Sequence, residues 1–124
     1  MLSYDSITQM PMPDRPVYLR LRDEIVAMIL DGRVGDGDAL PSVRAFAAAQ
    51  GANPLTVAKA YQTFQEDGLV EVRRGVGMFV VAGAAERLRV GARRRFLEEE
   101  WPEIRVRMRR LALDPADLIG EAVR

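Results

Sequence analysis

Polar, basic and methyl-bearing side chains gather at the start of a helix that the sequence predicts from Asn53 and Pro54 onward. The first turns of this helix carry Asn53, Leu55, Thr56 and Lys59, on the side opposite an apolar stripe. The methyl groups of Leu and Thr can contact thymine, and Lys can donate to guanine acceptors or to phosphate. The alternative is that Asn53 only caps the helix and the others form a solvated face. The set as a whole favours contact with DNA bases.

A second pair of candidates, Ser42 and Arg44, stands at the start of the preceding predicted helix. The exposed amides of a helix start form an anion site. Arg44 can therefore hold a phosphate, which fixes the register of a protein on DNA more than it reads sequence. The alternative is an ordinary surface salt bridge, which contributes little. Contact with the DNA backbone is the favoured interpretation.

Two arginines and two glycines lie between two short apolar segments farther along the chain. The segments, residues 69–72 and 78–81, are typical of the strands of a hairpin. Arg73 and Arg74 stand at the base of its loop, and Gly75 and Gly77 let the backbone pass close to a sugar-phosphate strand. Glycines also suit any tight hairpin, which leaves a purely structural role open.

Neither histidine nor cysteine occurs in the chain. Their absence removes the commonest general base, the commonest metal ligand, disulfides and thiol nucleophiles. No two carboxylates are grouped where they could share a pocket. The sequence therefore predicts no catalytic residue, no metal site and no cofactor, and it indicates that the protein is not an enzyme.

Three helices and the hairpin must position the candidate side chains. The first helix has Pro16 in its first turn and ends at the turn-rich residues 32–38. The second covers residues 42–50 and is capped by Gly51, and the third runs through residues 53–68. The short, glycine-containing link between these two helices is typical of a helix-turn-helix, and a hairpin after the third helix is a wing. The predicted fold class is mostly α with a small β-hairpin, a winged helix-turn-helix.

The last part of the chain has an apolar stripe of its own. It follows alternating steps of four and three residues, the spacing of a coiled-coil seam, through Leu97, Trp101, Ile104, Met108 and Leu111. Pro102 interrupts the seam, so a kink or helix break is expected near Trp101. The stripe could fold back on its own winged helix, but pairing of two copies is the favoured interpretation. An isologous dimer would match a palindromic DNA site.

Charge and hydropathy limit where such a protein acts. The formal net charge is +0, with 8 Lys/Arg and 10 Asp/Glu in residues 1–85 and 10 and 8 in residues 86–124. Any DNA surface must therefore be a local basic face. No apolar run approaches the length of a membrane span, and the N-terminus lacks the features of a signal peptide. A cytoplasmic location without membrane contact is expected.

Four motifs in this order resemble the GntR family of regulators: residues 37–44 (GDALPSVR), 53–61 (NPLTVAKAY), 67–70 (DGLV) and 75–80 (GVGMFV). The resemblance covers roughly residues 14–82. It implies a dimeric bacterial transcription factor, usually a repressor, that binds palindromic operators. It also implies DNA contacts at Ser42, Arg44, Asn53, Thr56, Lys59 and the wing around Arg74 and Gly75. The short tail resembles the YtrA-like subfamily, which implies dimerisation through a few helices and control of a transport operon.

The sequence thus predicts three parts: an N-terminal arm at residues 1–13, a winged helix-turn-helix DNA-binding domain at 14–82, and a helical dimerisation segment at 83–124. The expected partners are double-stranded DNA and a second copy of the chain. An unidentified small-molecule effector remains open, although no polar cluster marks a pocket for it. The alternative function is a winged-helix protein-interaction module without an operator of its own, and the basic residues around the third helix favour DNA over it.

Overall fold

The computed structural model describes residues 15–122, so the predicted arm at residues 1–13 lies outside the described residues. In chain order the elements are α1 (Val17–Leu30), α2 (Val43–Gln50), α3 (Pro54–Glu66), β1 (Val70–Arg73), β2 (Gly77–Val80), α4 (Ala84–Arg95), a π-helical turn (Phe96–Glu100), α5 (Trp101–Arg110) and α6 (Pro115–Ala122). The mostly α fold class with a small hairpin is confirmed. No helix of this part of the chain has both the length and the apolar character needed to cross a membrane.

The chain divides into two compact units between Leu88 and Arg89. Helix α4 begins in the first unit, where Ala84 is fully buried, and continues into the second. The predicted domain boundary after residue 82 falls a few residues earlier, between the wing and α4. The first turns of α4 therefore complete the core of the first unit.

The core of the first unit is built from one face of each of its helices. Helix α1 contributes Leu21, Ile25 and Ile29 at helical spacing, and α3 contributes Val57, Ala60, Tyr61 and Phe64. Phe64 and Ile25 have no exposed surface, and complete burial of such a side chain stabilises a fold by about 1.5–3 kcal/mol. The apolar residues that recur at helical spacing in the sequence are the ones that pack in this core.

Arg22 lies in this core and joins α1 to α3. Its guanidinium donates to Thr63 Oγ1 at 2.6 Å and to Asp67 Oδ2 at 2.8 Å. The same group lies 4.5 Å from the ring centroid of Phe64. A buried charge is tolerated when it is paired and hydrogen-bonded, and these contacts hold α3 at a fixed position on α1.

The wing contains more than the predicted hairpin. Strands β1 and β2 pair antiparallel, with Val70 opposite Val80 and Arg73 opposite Gly77. Ala39 adds an isolated bridge to Phe79, so the segment before α2 pairs with the outer side of β2. This third pairing could not be predicted from the sequence, because Ala39 follows a turn-rich stretch without alternation.

Several element limits differ from the sequence prediction by one or two residues. Helix α1 begins at Val17 and Pro16 is its N-cap, because Pro16 has an extended ψ of 144° and is not helical. Ser42 is likewise the N-cap of α2 and not its first residue. The strands are shifted toward the loop, so that Arg73 ends β1 and Gly77 begins β2.

The helix of the second unit continues through the place where the sequence predicts a kink or a helix break. A π-helical turn at Phe96–Glu100 leads directly into α5, and Pro102 lies in the first turn of α5. Proline removes one backbone donor and clashes with the carbonyl four residues earlier. A π-helical turn accommodates this lost hydrogen bond without ending the helix. The helix is therefore irregular close to the predicted position, and the irregularity is a π-helical turn.

Candidate nucleic-acid interface

The start of α2 holds Ser42 and Arg44 as the sequence predicted. The Ser42 hydroxyl accepts a hydrogen bond from the Ala45 amide at 3.1 Å and so satisfies one free donor of the first turn. Arg44 is exposed, and within residues 15–122 it has no carboxylate partner within 4 Å. A capped helix start with a free guanidinium beside it is suited to bind a phosphate.

A short turn joins α2 to α3 and fixes their geometry. Gly51 caps α2 in the left-handed conformation, with φ of +62°, a position that favours glycine. Asn53 Oδ1 accepts from the Leu55 amide at 2.8 Å and caps α3. The Tyr61 hydroxyl donates to the Pro41 carbonyl at 2.7 Å, which ties the middle of α3 to the entrance of α2. Asn53 is thus a cap in this structure, and its amide nitrogen is left for a second contact.

The exposed face of α3 carries the remaining base-reading candidates. Leu55 is 80% exposed, although exposure of an apolar leucine side chain to water is unfavourable. Lys59 is exposed, and its Nζ lies 4.3 Å from the ring centroid of Tyr18 on α1. This cation–π contact places the Lys59 ammonium at the α1 side of α3. Lys59 is therefore positioned for a phosphate at the edge of a groove more than for a base.

An open groove of about 720 Å³ lies beside the turn, between α1 and the start of α3. Thr56 is half-buried in its wall, together with Asn53 and Arg20. Sequence reasoning missed both Arg20 and Tyr18, because they stand on α1, away from the helix-turn-helix motif. For Arg20 the available signal was its place outside the apolar stripe of α1. Tyr18 packs against the core and carries no such signal.

The wing presents one of its two arginines freely. The Arg73 guanidinium lies 4.0 Å from the ring centroid of Phe79 and 4.0 Å from Glu71 Oε2. Arg74 is exposed in the loop, and no carboxylate of residues 15–122 pairs with it within 4 Å. Gly75 and Gly77 have φ of +76° and +142°, so the turn itself requires them. Of the four predicted wing residues, Arg74 is the one most available to a phosphate.

Three acidic residues of the loop before α2 form hydrogen bonds or an ion pair within the fold, while Asp23 and Glu24 line the groove beside α3. Asp36 Oδ2 accepts from the Gly83 amide and Asp38 Oδ2 from the Gly35 amide, both at 2.8 Å. Asp31 pairs with Arg33 at 3.3 Å. Within the described residues, no group of three or more carboxylates could hold a metal ion. Within residues 15–122, Arg44, Lys59 and Arg74 have no carboxylate within 4 Å, whereas Arg73 lies 4.0 Å from Glu71.

The five residues of the predicted dimerisation seam differ in exposure. Leu97 and Leu111 are 50% and 67% exposed, and Trp101 and Ile104 are half-buried. Met108 is 6% exposed and lies inside its own unit. It lines a hollow of about 300 Å³ together with Trp101, Arg105, Arg109, Leu113 and Pro115. Four of the five seam residues keep surface that a second copy could cover.

Residues 17–80 match the family described as bacterial regulatory proteins, gntR family, which is more than half of the chain. The chain belongs to the GntR family. As in the sequence prediction, its place there is among transcription regulators and not among enzymes. The HTH-type transcriptional repressor YtrA of Bacillus subtilis is 36% identical over 74 residues, which are 60% of this chain and 57% of that protein.

Solved structures give the same family and fold. A GntR family transcriptional regulator from Listeria monocytogenes superposes with a TM-score of 0.70 at 25% identity, covering 88% of this chain and 94% of that one. The DNA-binding domain of AraR in complex with operator ORR3 gives a TM-score of 0.52 at 25% identity, covering 54% and 81%. These matches confirm the winged-helix fold. The chain spans less than three fifths of the length of the curated relatives YtrA and YhcF of Bacillus subtilis.

Proposed function

We propose that this GntR-family chain is a sequence-specific, DNA-binding transcription regulator that acts as a homodimer on a palindromic operator. The observation that carries the proposal is an exposed basic side chain at each of three elements of the first unit, with no carboxylate of residues 15–122 within 4 Å. Arg44 stands at the start of α2, Lys59 on the exposed face of α3, and Arg74 in the wing loop. A helix-turn-helix uses these parts for the backbone and the major groove.

The roles of the individual residues follow from their geometry. Ser42 and Arg44 hold one phosphate at the start of α2. Leu55 and Thr56 supply methyl groups to thymine, and the Asn53 amide reaches a base or a phosphate while its oxygen caps α3. Lys59 and Arg74 neutralise phosphates on either side, and Gly75 and Gly77 admit the backbone to the wing. Arg73 supports the wing on Phe79 and makes a lesser contact.

The finer features of the proposal draw on the relatives. A relative at 36% identity is named a transcriptional repressor, which supports repression as the mode of action. The YtrA-like resemblance supports a transport operon as the target. A regulator of this kind acts in the cytoplasm, where the bacterial chromosome lies. Of the predicted seam, Leu97, Trp101, Ile104 and Leu111 supply the homodimer contact, while Met108 packs inside its own unit. The two-fold symmetry of such a dimer matches the palindrome.

The deciding experiment is a titration of the full chain against a duplex from the promoter of its own gene, with a random duplex of equal length as the control. We expect tight binding to the promoter, a footprint with two-fold symmetry, and much weaker binding to the random duplex at the same salt. Equal and weak binding to both, repeated on duplexes selected from a random pool, would overturn sequence-specific binding. That result would favour a protein-interaction module.

A further inference from the structure

The second unit exposes more apolar surface than its own helices cover. Besides the seam, Val90 is 58% exposed, Phe96 44% and Ile119 66%. Phe96 and Trp101 stack with ring centroids 6.5 Å apart, so two large aromatic side chains share one surface. Such a surface on a small helical unit marks an interaction site.

The charges beside this surface alternate in blocks along the chain. Arginines fill residues 93–95, an acidic block fills residues 98–100, and a basic block follows within residues 105–110 as Arg105, Arg107, Arg109 and Arg110. All of these side chains are exposed. Within residues 15–122, no ion pair of 4 Å or less joins the acidic block to the basic block. Both blocks are available to a partner.

We infer that the second unit binds a second copy of this chain with the two helices antiparallel and the two-fold axis near Glu103. The acidic block is centred on residue 99 and the basic block between 107 and 108, so the point midway between them lies near residue 103. An antiparallel pair about this point sets each acidic block against the basic block of the other copy. A parallel pair would set like charges side by side, which is unfavourable.

The apolar residues fit the same axis. Leu97 and Trp101 lie on one side of Glu103, and Ile104 and Leu111 lie on the other. Each copy therefore offers apolar surface on both sides of the axis, as an isologous contact requires. Exposed ion pairs add little affinity, so the apolar surface supplies the binding and the charge blocks set the direction. The inference rests on the proposed homodimer and specifies its arrangement.

Spin labels measure the direction, because the chain has no cysteine of its own. In an antiparallel pair, equivalent positions separate along the axis by about 3 Å for each residue of distance from the two-fold axis, twice the helical rise. A label on Ala92→Cys, eleven residues from Glu103, should give an inter-copy distance of about 30 Å by pulsed electron resonance. A distance near 10–15 Å would show parallel helices, and no inter-copy distance at micromolar protein would show no such dimer. Either result overturns the inference.

A cross-link at the axis provides the matched control. A cysteine at Ile104→Cys, on the seam and one residue from the axis, lies about one interhelical distance, 8–10 Å, from its equivalent in the other copy. A short bismaleimide should join the two copies of this variant but not those of Ala92→Cys. Equal cross-linking at both positions would contradict the antiparallel arrangement.

Charge reversal tests whether the charge blocks contribute to pairing, while the spin labels measure the direction. A variant with Glu98→Lys, Glu99→Lys and Glu100→Lys should lose self-association in sedimentation, as should a second variant with Arg105→Glu, Arg107→Glu and Arg109→Glu. Mixing the two should restore a 1:1 heterodimer, because each reversed block then meets an opposite charge. Unfolding would be detected by circular dichroism, and a folded pair that does not associate would count against the charge blocks. None of these measurements contains DNA, so they can succeed where operator binding fails.

Discussion

Arg44 gives the most direct test of the proposed DNA interface at the scale of one residue. Its side chain is exposed, so Arg44→Ala leaves the core intact. If Arg44 neutralises one phosphate, its loss lowers affinity and reduces the slope of log K against log salt by about 0.9. Binding titrations at several salt concentrations measure that slope. Arg33→Ala is the control, because Arg33 pairs with Asp31 and is outside the proposed contacts. An unchanged slope for Arg44→Ala would remove it from the phosphate contacts.

Tyr61 links stability to high pH. Burial raises the pKa of Tyr61 from 10.0 to about 12, which favours the neutral phenol in the folded state. Its contribution is complete below pH 10 and is lost as the pH rises toward 12, because the unfolded chain ionises first. Tyr61→Phe should lower the free energy of unfolding by about 1 kcal/mol near neutral pH, through the hydrogen bond to Pro41. Its difference from the wild type should shrink between pH 10 and 12 in denaturant titrations. A constant difference would contradict the raised pKa.

Residue types and spacing predicted most of the candidate contacts, but not how they are held. The caps at Ser42 and Asn53 follow from local sequence, because each bonds to an amide two or three residues away. The contact between Lys59 and Tyr18 joins residues far apart in the chain, and only the packing of α1 on α3 creates it. The burial of Arg22 is hidden for the same reason, since its partners are Thr63 on α3 and Asp67 at the C-terminal cap of that helix.

Helix ends provide a test at the scale of the element. Ala112 follows α5 with φ of +53°, a left-handed conformation that costs a residue with a Cβ free energy. Ala112→Gly should therefore raise the free energy of unfolding by about 0.5–1 kcal/mol. Ala92→Gly, inside α4, should lower it by a similar amount. Thermal unfolding followed by circular dichroism measures both variants. A loss of stability in Ala112→Gly would show that this end of α5 is not strained.

The helices and the hairpin could be predicted from the sequence because each follows from a local period or a turn signal. The bridge between Ala39 and Phe79 could not, since one residue on each side carries no periodic pattern. The π-helical turn before Pro102 could not be predicted from the sequence either. Proline removes a hydrogen bond in any case, but whether the helix ends, bends or widens depends on the packing around it. The helix limits also differ slightly from the predicted ones, because a cap is defined by its backbone geometry and not by its residue type.

At the scale of the whole molecule, the two units divide the proposed function. In the proposed dimer, the first unit of each copy would cover one half-site through its basic side chains. The second unit would supply the pairing that brings two half-sites under one protein. A dimer loses less entropy per half-site than two separate monomers would, so linking the two half-sites raises the apparent affinity without a new DNA contact. Substitutions in the second unit should then change operator affinity through the dimer alone.

Trp101 allows this division to be tested, because it is the one tryptophan of the chain and lies half-buried in the second unit. Trp101→Glu places a charge on the apolar surface and should shift the protein to monomer in sedimentation. Operator affinity should fall at least tenfold, while affinity for a single half-site stays close to that of the wild type. Trp101→Phe keeps an aromatic ring and should remain a dimer with near-normal operator binding. If Trp101→Glu still sediments as a dimer, the seam is assigned wrongly. If it is monomeric but binds the full operator as tightly as before, dimerisation does not contribute to operator recognition.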